Sequence, residues 1–137
     1  MVRIGIVDDE AAARQKLEAA VERFGMQNDL ELWVRTYSSA GAYLADKDSQ
    51  FDILYLDIDM PGMSGMELAA AIRQTNSSLV IIFCTNLQQF AVNGYEVSAL
   101  GFLVKPVEWY PFKLSLERAL KAIAARARLR ERPGKRI

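Results

Sequence analysis

The chain has 137 residues, 51% of them apolar, which suits one domain with one packed core and is too apolar for a disordered chain. There is no histidine, which removes the commonest general base, the commonest metal ligand and any phosphohistidine made by the chain itself; the single cysteine, Cys84, excludes an internal disulfide. Net charge is zero but uneven: residues 126–137 hold six Lys/Arg against one Glu, leaving 11 Lys/Arg against 16 Asp/Glu in an acidic body.

In chain order, residues 2–7 (VRIGIV) read as a short buried strand. Asp8, Asp9 and Glu10 interrupt the apolar run too early for a signal peptide, so a reducing cytosolic setting is expected. Residues 11–24 carry Leu17, Ala20, Val21 and Phe24 at helical spacing, and Gly25 is expected to stop that helix. Residues 31–37 read as a strand, and Ser38 or Ser39 as the cap of a short helix through Leu44. Residues 52–57 (DILYLD) form the next strand, followed by a Pro61-Gly62, Ser64-Gly65 loop and a helix over 66–74. LVIIFC, 79–84, is apolar throughout and predicts a strand buried on both faces. A short helix over 87–94, a strand over 100–104 and a last helix from about Phe112 to about Arg130, with Pro111 in its first turn, complete the chain. Alternating β and α units of this length predict a five-stranded parallel sheet of order 2-1-3-4-5 with helices on both faces.

The polar residues then fall at strand ends. Asp8, Asp9 and Glu10 follow the first strand, Asp57 and Asp59 the third, Thr85 and Asn86 the fourth, Lys105 and Pro106 the fifth. In such sheets ligands bind outside the carboxyl ends of the strands, at the switch in strand order. Asp8, Asp9 and Asp57 would share one crevice, with Thr85 and Lys105 beside it. Three carboxylates that close need a cation, and the hard-oxygen choice is Mg²⁺. Asp57 can then act as a nucleophile toward phosphorus, with the Lys105 ammonium and the Thr85 hydroxyl answering the charge on the transferring oxygens.

VDDE, LYLDIDMPGMSG, FCTN and FLVKP, each at a strand end and in this order, resemble the receiver domain of bacterial response regulators, with the CheY-like, flavodoxin-type fold. The resemblance covers about residues 2–123. It implies Asp57 as the phosphoacceptor, Asp9 as the direct Mg²⁺ ligand and Asp8 acting through metal-bound water. It also implies the backbone carbonyl of Asp59 in the metal shell, Thr85 as the switch hydroxyl, Lys105 as the phosphate-pairing lysine, Phe102 as the switch aromatic and a cis bond before Pro106. The donor would be a sensor histidine kinase, and phosphorylation would favour a homodimer. The segment FAVNGYEVSALGFLVKP, 90–106, is similar to receivers that precede a LytTR-type DNA-binding domain. Residues 1–123 are then the receiver and 124–137 a basic helix end and linker toward an output domain outside this chain, through which DNA would be contacted.

Other readings stand beside these. The fold could serve only for dimerisation, without phosphorylation, or the chain could be a Mg²⁺-dependent aspartate phosphatase, since Asp59 lies two residues after Asp57. The short length and lack of a substrate cap favour a switch over a turnover enzyme. Phe102 could be ordinary core, Glu10 a charge helping the first helix, and Trp109 and Tyr110 either packing at a helix entry or part of a partner surface.

Overall fold

The computed structural model describes residues 1–86 and 96–131. Five strands form one parallel sheet: β1 Val2–Val7, β2 Leu32–Tyr37, β3 Ile53–Leu56, β4 Val80–Thr85 and β5 Gly101–Val104. Their order is β2-β1-β3-β4-β5, as expected from the alternation. Four helices are described: α1 Ala11–Asn28, α2 Ala40–Ala45, α3 Gly65–Arg73 and α4 Trp109–Glu131. The helix predicted over 87–94 lies outside the described residues.

Strand side chains alternate between two cores. Leu54, Leu56, Ile81 and Phe83 pack with Leu68 and Ile72 of α3 and with Tyr43 of α2. Ile53, Tyr55, Ile82 and Cys84 pack with Leu17, Val21 and Phe24 of α1 and with Phe112, Leu116 and Ala119 of α4. β3 and β4 are buried along their whole length, which is why they read as unbroken apolar runs. Each large aliphatic or aromatic side chain removed from water this way contributes about 1.5–3 kcal/mol. Tyr55 and Ser115 share a 3.0 Å hydrogen bond between β3 and α4, which satisfies both hydroxyls inside the second core.

Two boundaries differ from expectation by more than one residue. α1 does not stop at Gly25 but runs on to Asn28, with Asp29 at its C-cap in the left-handed region. Glycine inside a helix costs only about 1 kcal/mol, and here it is needed: a Cβ on Gly25 would stand 3.0 Å from the carbonyl oxygen of Leu30. The chain returns across Gly25, and Leu30 N–H donates to its carbonyl at 2.9 Å. α4 opens at Trp109, ahead of Pro111, which occupies the first turn as expected, and it runs unbroken through residues 123 and 124. Ser39 is the cap of α2, accepting from Ala42 N–H at 3.0 Å. Ser64 and Glu67 form a reciprocal capping box on α3.

Trp109 and Tyr110 part company. Trp109 stacks on Phe112 at 6.0 Å and lies under the Arg23 guanidinium at 3.9 Å, whereas Tyr110 is 64% exposed.

Candidate functional site

The site is assembled by backbone bonds that continue the sheet one residue past its strands. Asp8 N–H donates to Tyr37 O at 3.1 Å, Asp57 N–H to Val7 O at 3.0 Å, and Lys105 N–H to Thr85 O at 3.0 Å. Each chemical residue is thus held in register although it lies beyond the regular ladder or at its last rung. Thr85 is itself that last rung, opposite Val104 and fully buried. α3 closes the floor. Gly65 N–H donates to Ile58 O at 2.9 Å, and a Cβ on Gly65 would meet the Asp57 carbonyl oxygen at 2.0 Å.

The arrangement brings Asp8, Asp9, Glu10 and Asp57 together, with one carboxylate oxygen of each within 4.8 Å of the others. Asp8 and Asp57 are buried at 1% and 3% exposure, while Asp9 and Glu10 face water. Lys105 reaches in from the end of β5. Its Nζ lies 2.7 Å from Asp8 Oδ2, 3.0 Å from Asp57 Oδ2 and 3.1 Å from Glu10 Oε1. Asp8 Oδ1 accepts from Glu10 N–H at 2.9 Å, and Asp57 Oδ1 from Asp59 N–H at 3.3 Å. Arg14 donates to the Asp8 carbonyl at 2.7 Å. The Lys105–Pro106 bond is cis, as the resemblance implied.

Charge and burial oppose each other here. Burial lifts the Asp8 carboxyl above its ordinary range, outweighing the pull of Lys105 and of the Glu10 peptide N–H. Burial would depress the Lys105 ammonium, but attraction to Asp8 and Asp57 prevails and raises it. One ammonium cannot balance four carboxylates. Asp8 Oδ2 is a close ion-pair neighbour of Nζ, yet it is buried without a well-directed hydrogen-bond donor among the described residues. A buried oxygen left in that condition, inside an all-oxygen donor set, fits a hard divalent cation. The carboxylate of Asp59 is exposed and is not one of the four; only its carbonyl was expected to serve a metal.

Phe102 faces Phe83 across β4 and β5, with ring centroids 6.5 Å apart and tilted 52°. It is half-buried against the first core, so it has core contacts and an outward edge together. Glu10, expected as a charge helping the first helix, is the N-cap residue of α1 without a side-chain cap bond, and its carboxylate also reaches Lys105. Its position directly after an acid pair was the available signal. Beside Lys105 a cavity of about 310 Å³ opens between α1 and the β5–α4 loop, lined by Ala13, Leu17, Asn86 and Pro106 among others.

A family model, the response regulator receiver domain, matches residues 4–113. The chain belongs to that family. This receiver is 36% identical over 121 residues to the transcriptional regulatory protein NatR of Bacillus subtilis, which covers 88% of the chain and 51% of the relative. It is 37% identical over 115 residues to the positive alginate biosynthesis regulatory protein of Pseudomonas aeruginosa, covering 83% and 45%. It is 31% identical over 108 residues to the sensory transduction protein LytT of Bacillus subtilis, covering 79% and 44%. The chain therefore spans about half the length of the curated relatives it matches. Among solved structures, the Thermotoga maritima response regulator TrrA in complex with Mg²⁺-BeF superposes with a TM-score of 0.75 at 28% identity, over 87% of this chain and 99% of that one. A CheY-like receiver from Methanospirillum hungatei superposes at 0.78 and 23% identity over 91% and 98%, which bears on the fold. Among the described residues no helix is long and apolar enough to cross a membrane.

Proposed function

We propose that this receiver is a phosphorylation switch of a two-component system, with Asp57 accepting the phosphoryl group of a sensor kinase's phosphohistidine. The observation that carries the reading is a carboxylate buried to 3% at a strand end, 3.0 Å from a lysine ammonium and inside a cluster of three further acids. A carboxylate oxygen of Asp57 attacks phosphorus and an O–P bond forms. The P–N bond to the donor breaks, its electron pair leaves with the imidazole nitrogen, and that nitrogen takes a proton from water. Lys105 and the Thr85 hydroxyl offer donors to the transferring oxygens. Asp8, Asp9, Asp57 and the Asp59 carbonyl would hold Mg²⁺, which supplies neutralisation of phosphoryl charge when bound. The Mg²⁺-BeF complex of TrrA, a 28% identical relative, supports the assignment.

The output side rests on the relatives' names. Transcriptional regulators and LytT, each about twice the length of this chain, support a LytTR-type DNA-binding output. Thr85 and Phe102 would carry the change to the adjoining surface, which would pair with a second copy as a homodimer. That setting is cytoplasmic, and the chain acts as a switch and not as a turnover enzyme. Asp59 standing apart from the four clustered carboxylates weighs against a phosphatase.

Intact mass after incubation with a small phosphoryl donor, with and without Mg²⁺, tests the reading. One Mg²⁺-dependent phosphoryl adduct is expected, absent in Asp57→Asn. No adduct with any donor would overturn it in favour of a dimerisation module.

A further inference from the structure

We propose that Glu10 is a positioning residue: it holds the Lys105 ammonium in the resting receiver and is the carboxylate that gives way when Asp57 takes a phosphoryl group. The inference rests on the reading of Asp57 as phosphoryl acceptor. An ammonium has three protons to donate. Around Nζ stand three carboxylate oxygens, at 2.7 Å on Asp8, 3.0 Å on Asp57 and 3.1 Å on Glu10. Nζ donates to Asp57 and to Glu10, and the Asp8 oxygen crowds it as a close ion-pair neighbour. A phosphoryl group on Asp57 brings new oxygens that compete with these acceptors for the same ammonium.

The three are not equal in what withdrawal costs. The Asp8 side chain is 1% exposed and anchored through Oδ1 to the Glu10 peptide N–H. Asp57 carries the phosphorus itself. Glu10 is 60% exposed, so water takes over its carboxylate as it leaves, and little desolvation stands in the way. Nor does the helix need it. Glu10 is the N-cap residue of α1, and its side chain makes no capping bond that would have to break. The 2.9 Å bond from its own N–H to Asp8 fixes its backbone beside the site, while the side chain is free to choose between Lys105 and solvent.

The test follows phosphorylation of Asp57 by a small phosphoramidate donor in excess Mg²⁺, by intact mass, in the wild type, Glu10→Gln and Glu10→Asp. Glutamine keeps the length and loses the charge. Aspartate keeps the charge and is one methylene too short to reach Nζ. Both variants are expected to gain the adduct about two- to fivefold faster, the size an exposed ion pair supports. Glu10→Asp should need the same Mg²⁺ concentration for half-maximal rate as the wild type. In metal-free protein, the ¹⁵N resonance of the Lys105 ammonium should shift, and its hydrogen exchange should quicken, in both variants. Equal rates in all three proteins, or a gain in Glu10→Gln alone, would overturn the holding role. An unmoved Lys105 resonance would overturn the contact. If the wild type forms no adduct, the assignment of Asp57 fails instead, and the metal-free resonance still reports on Glu10.

Discussion

Gly65 has no side chain, and the site depends on it. The first turn of α3 rests against the peptide that carries Asp57, and a Cβ at residue 65 would lie 2.0 Å from the Asp57 carbonyl oxygen. No rotamer change relieves that contact, because both atoms belong to the backbone or are fixed to it. Gly65→Ala is therefore expected to destabilise the fold by about 3 kcal/mol, the upper part of the range for overpacking. Urea unfolding measures this directly. The same variant should gain the phosphoryl adduct more slowly, since relieving the clash moves Asp57 away from Lys105. An unchanged midpoint and rate would mean that α3 slides freely over the third strand's end.

At the scale of elements, β2 is tied to the end of α2 by a three-membered polar contact. Asp46, the C-cap of α2, accepts from Tyr37 Oη at 2.6 Å and from Arg35 at 2.7 Å. The Tyr37 bond and then the Arg35 bond hold the Asp46 carboxyl at about 2, against an ordinary 3.8. A carboxyl depressed in the folded state stabilises the fold above its unfolded value. That contribution is lost as pH falls from about 4 toward about 2. Burial, with the Asp46 bond, raises Tyr37 to about 12, so its contribution is fully present below pH 10 and is lost as pH rises from about 10 toward about 12. Tyr37→Phe is expected to move the Asp46 titration up toward its ordinary range, as read by ¹³C NMR of the carboxyl. The acid limb of stability should then begin at higher pH. An Asp46 titration that stays at about 2 would assign the shift to Arg35 and the Asp48 peptide N–H.

At the scale of the molecule, α4 runs along the sheet from the end that carries the site to the opposite edge. The acids and Lys105 gather at the carboxyl ends of the strands, whereas the far turns of α4 reach the opposite edge, where Arg126 donates to the Ser78 carbonyl. Val104, Tyr110 and Leu114 remain exposed apolar side chains on β5 and the opening turns of α4, at 40%, 64% and 41%. Beryllofluoride with Mg²⁺ is expected to convert a monomer to a dimer through that surface, seen by sedimentation velocity. Tyr110→Ala should weaken the dimer by about tenfold, the scale of one aromatic interface residue. A dimer indifferent to Tyr110 would place the contact elsewhere.

How much of this was legible in the chain depends on the range of the physics involved. Alternation of apolar runs with helical spacing named the elements, because burial of one stripe per element is a local pattern. Polar residues at strand ends named Asp8, Asp9, Asp57, Thr85 and Lys105, because parallel sheets present their carboxyl ends to ligands. The continuation of α1 through Gly25 was not readable. It depends on Leu30 returning across that residue, a contact between chain segments that no propensity records. The contact of Glu10 with Lys105 was hidden for the same reason. Its partner is 95 residues away, and only the closing of the sheet brings the Lys105 ammonium within 3.1 Å of its carboxylate. Local periodicity and residue chemistry settled the sheet and its candidate residues in advance; which carboxylates share the lysine, and how fully each is buried, was decided by tertiary packing, since charge coupling acts through space and not along the chain.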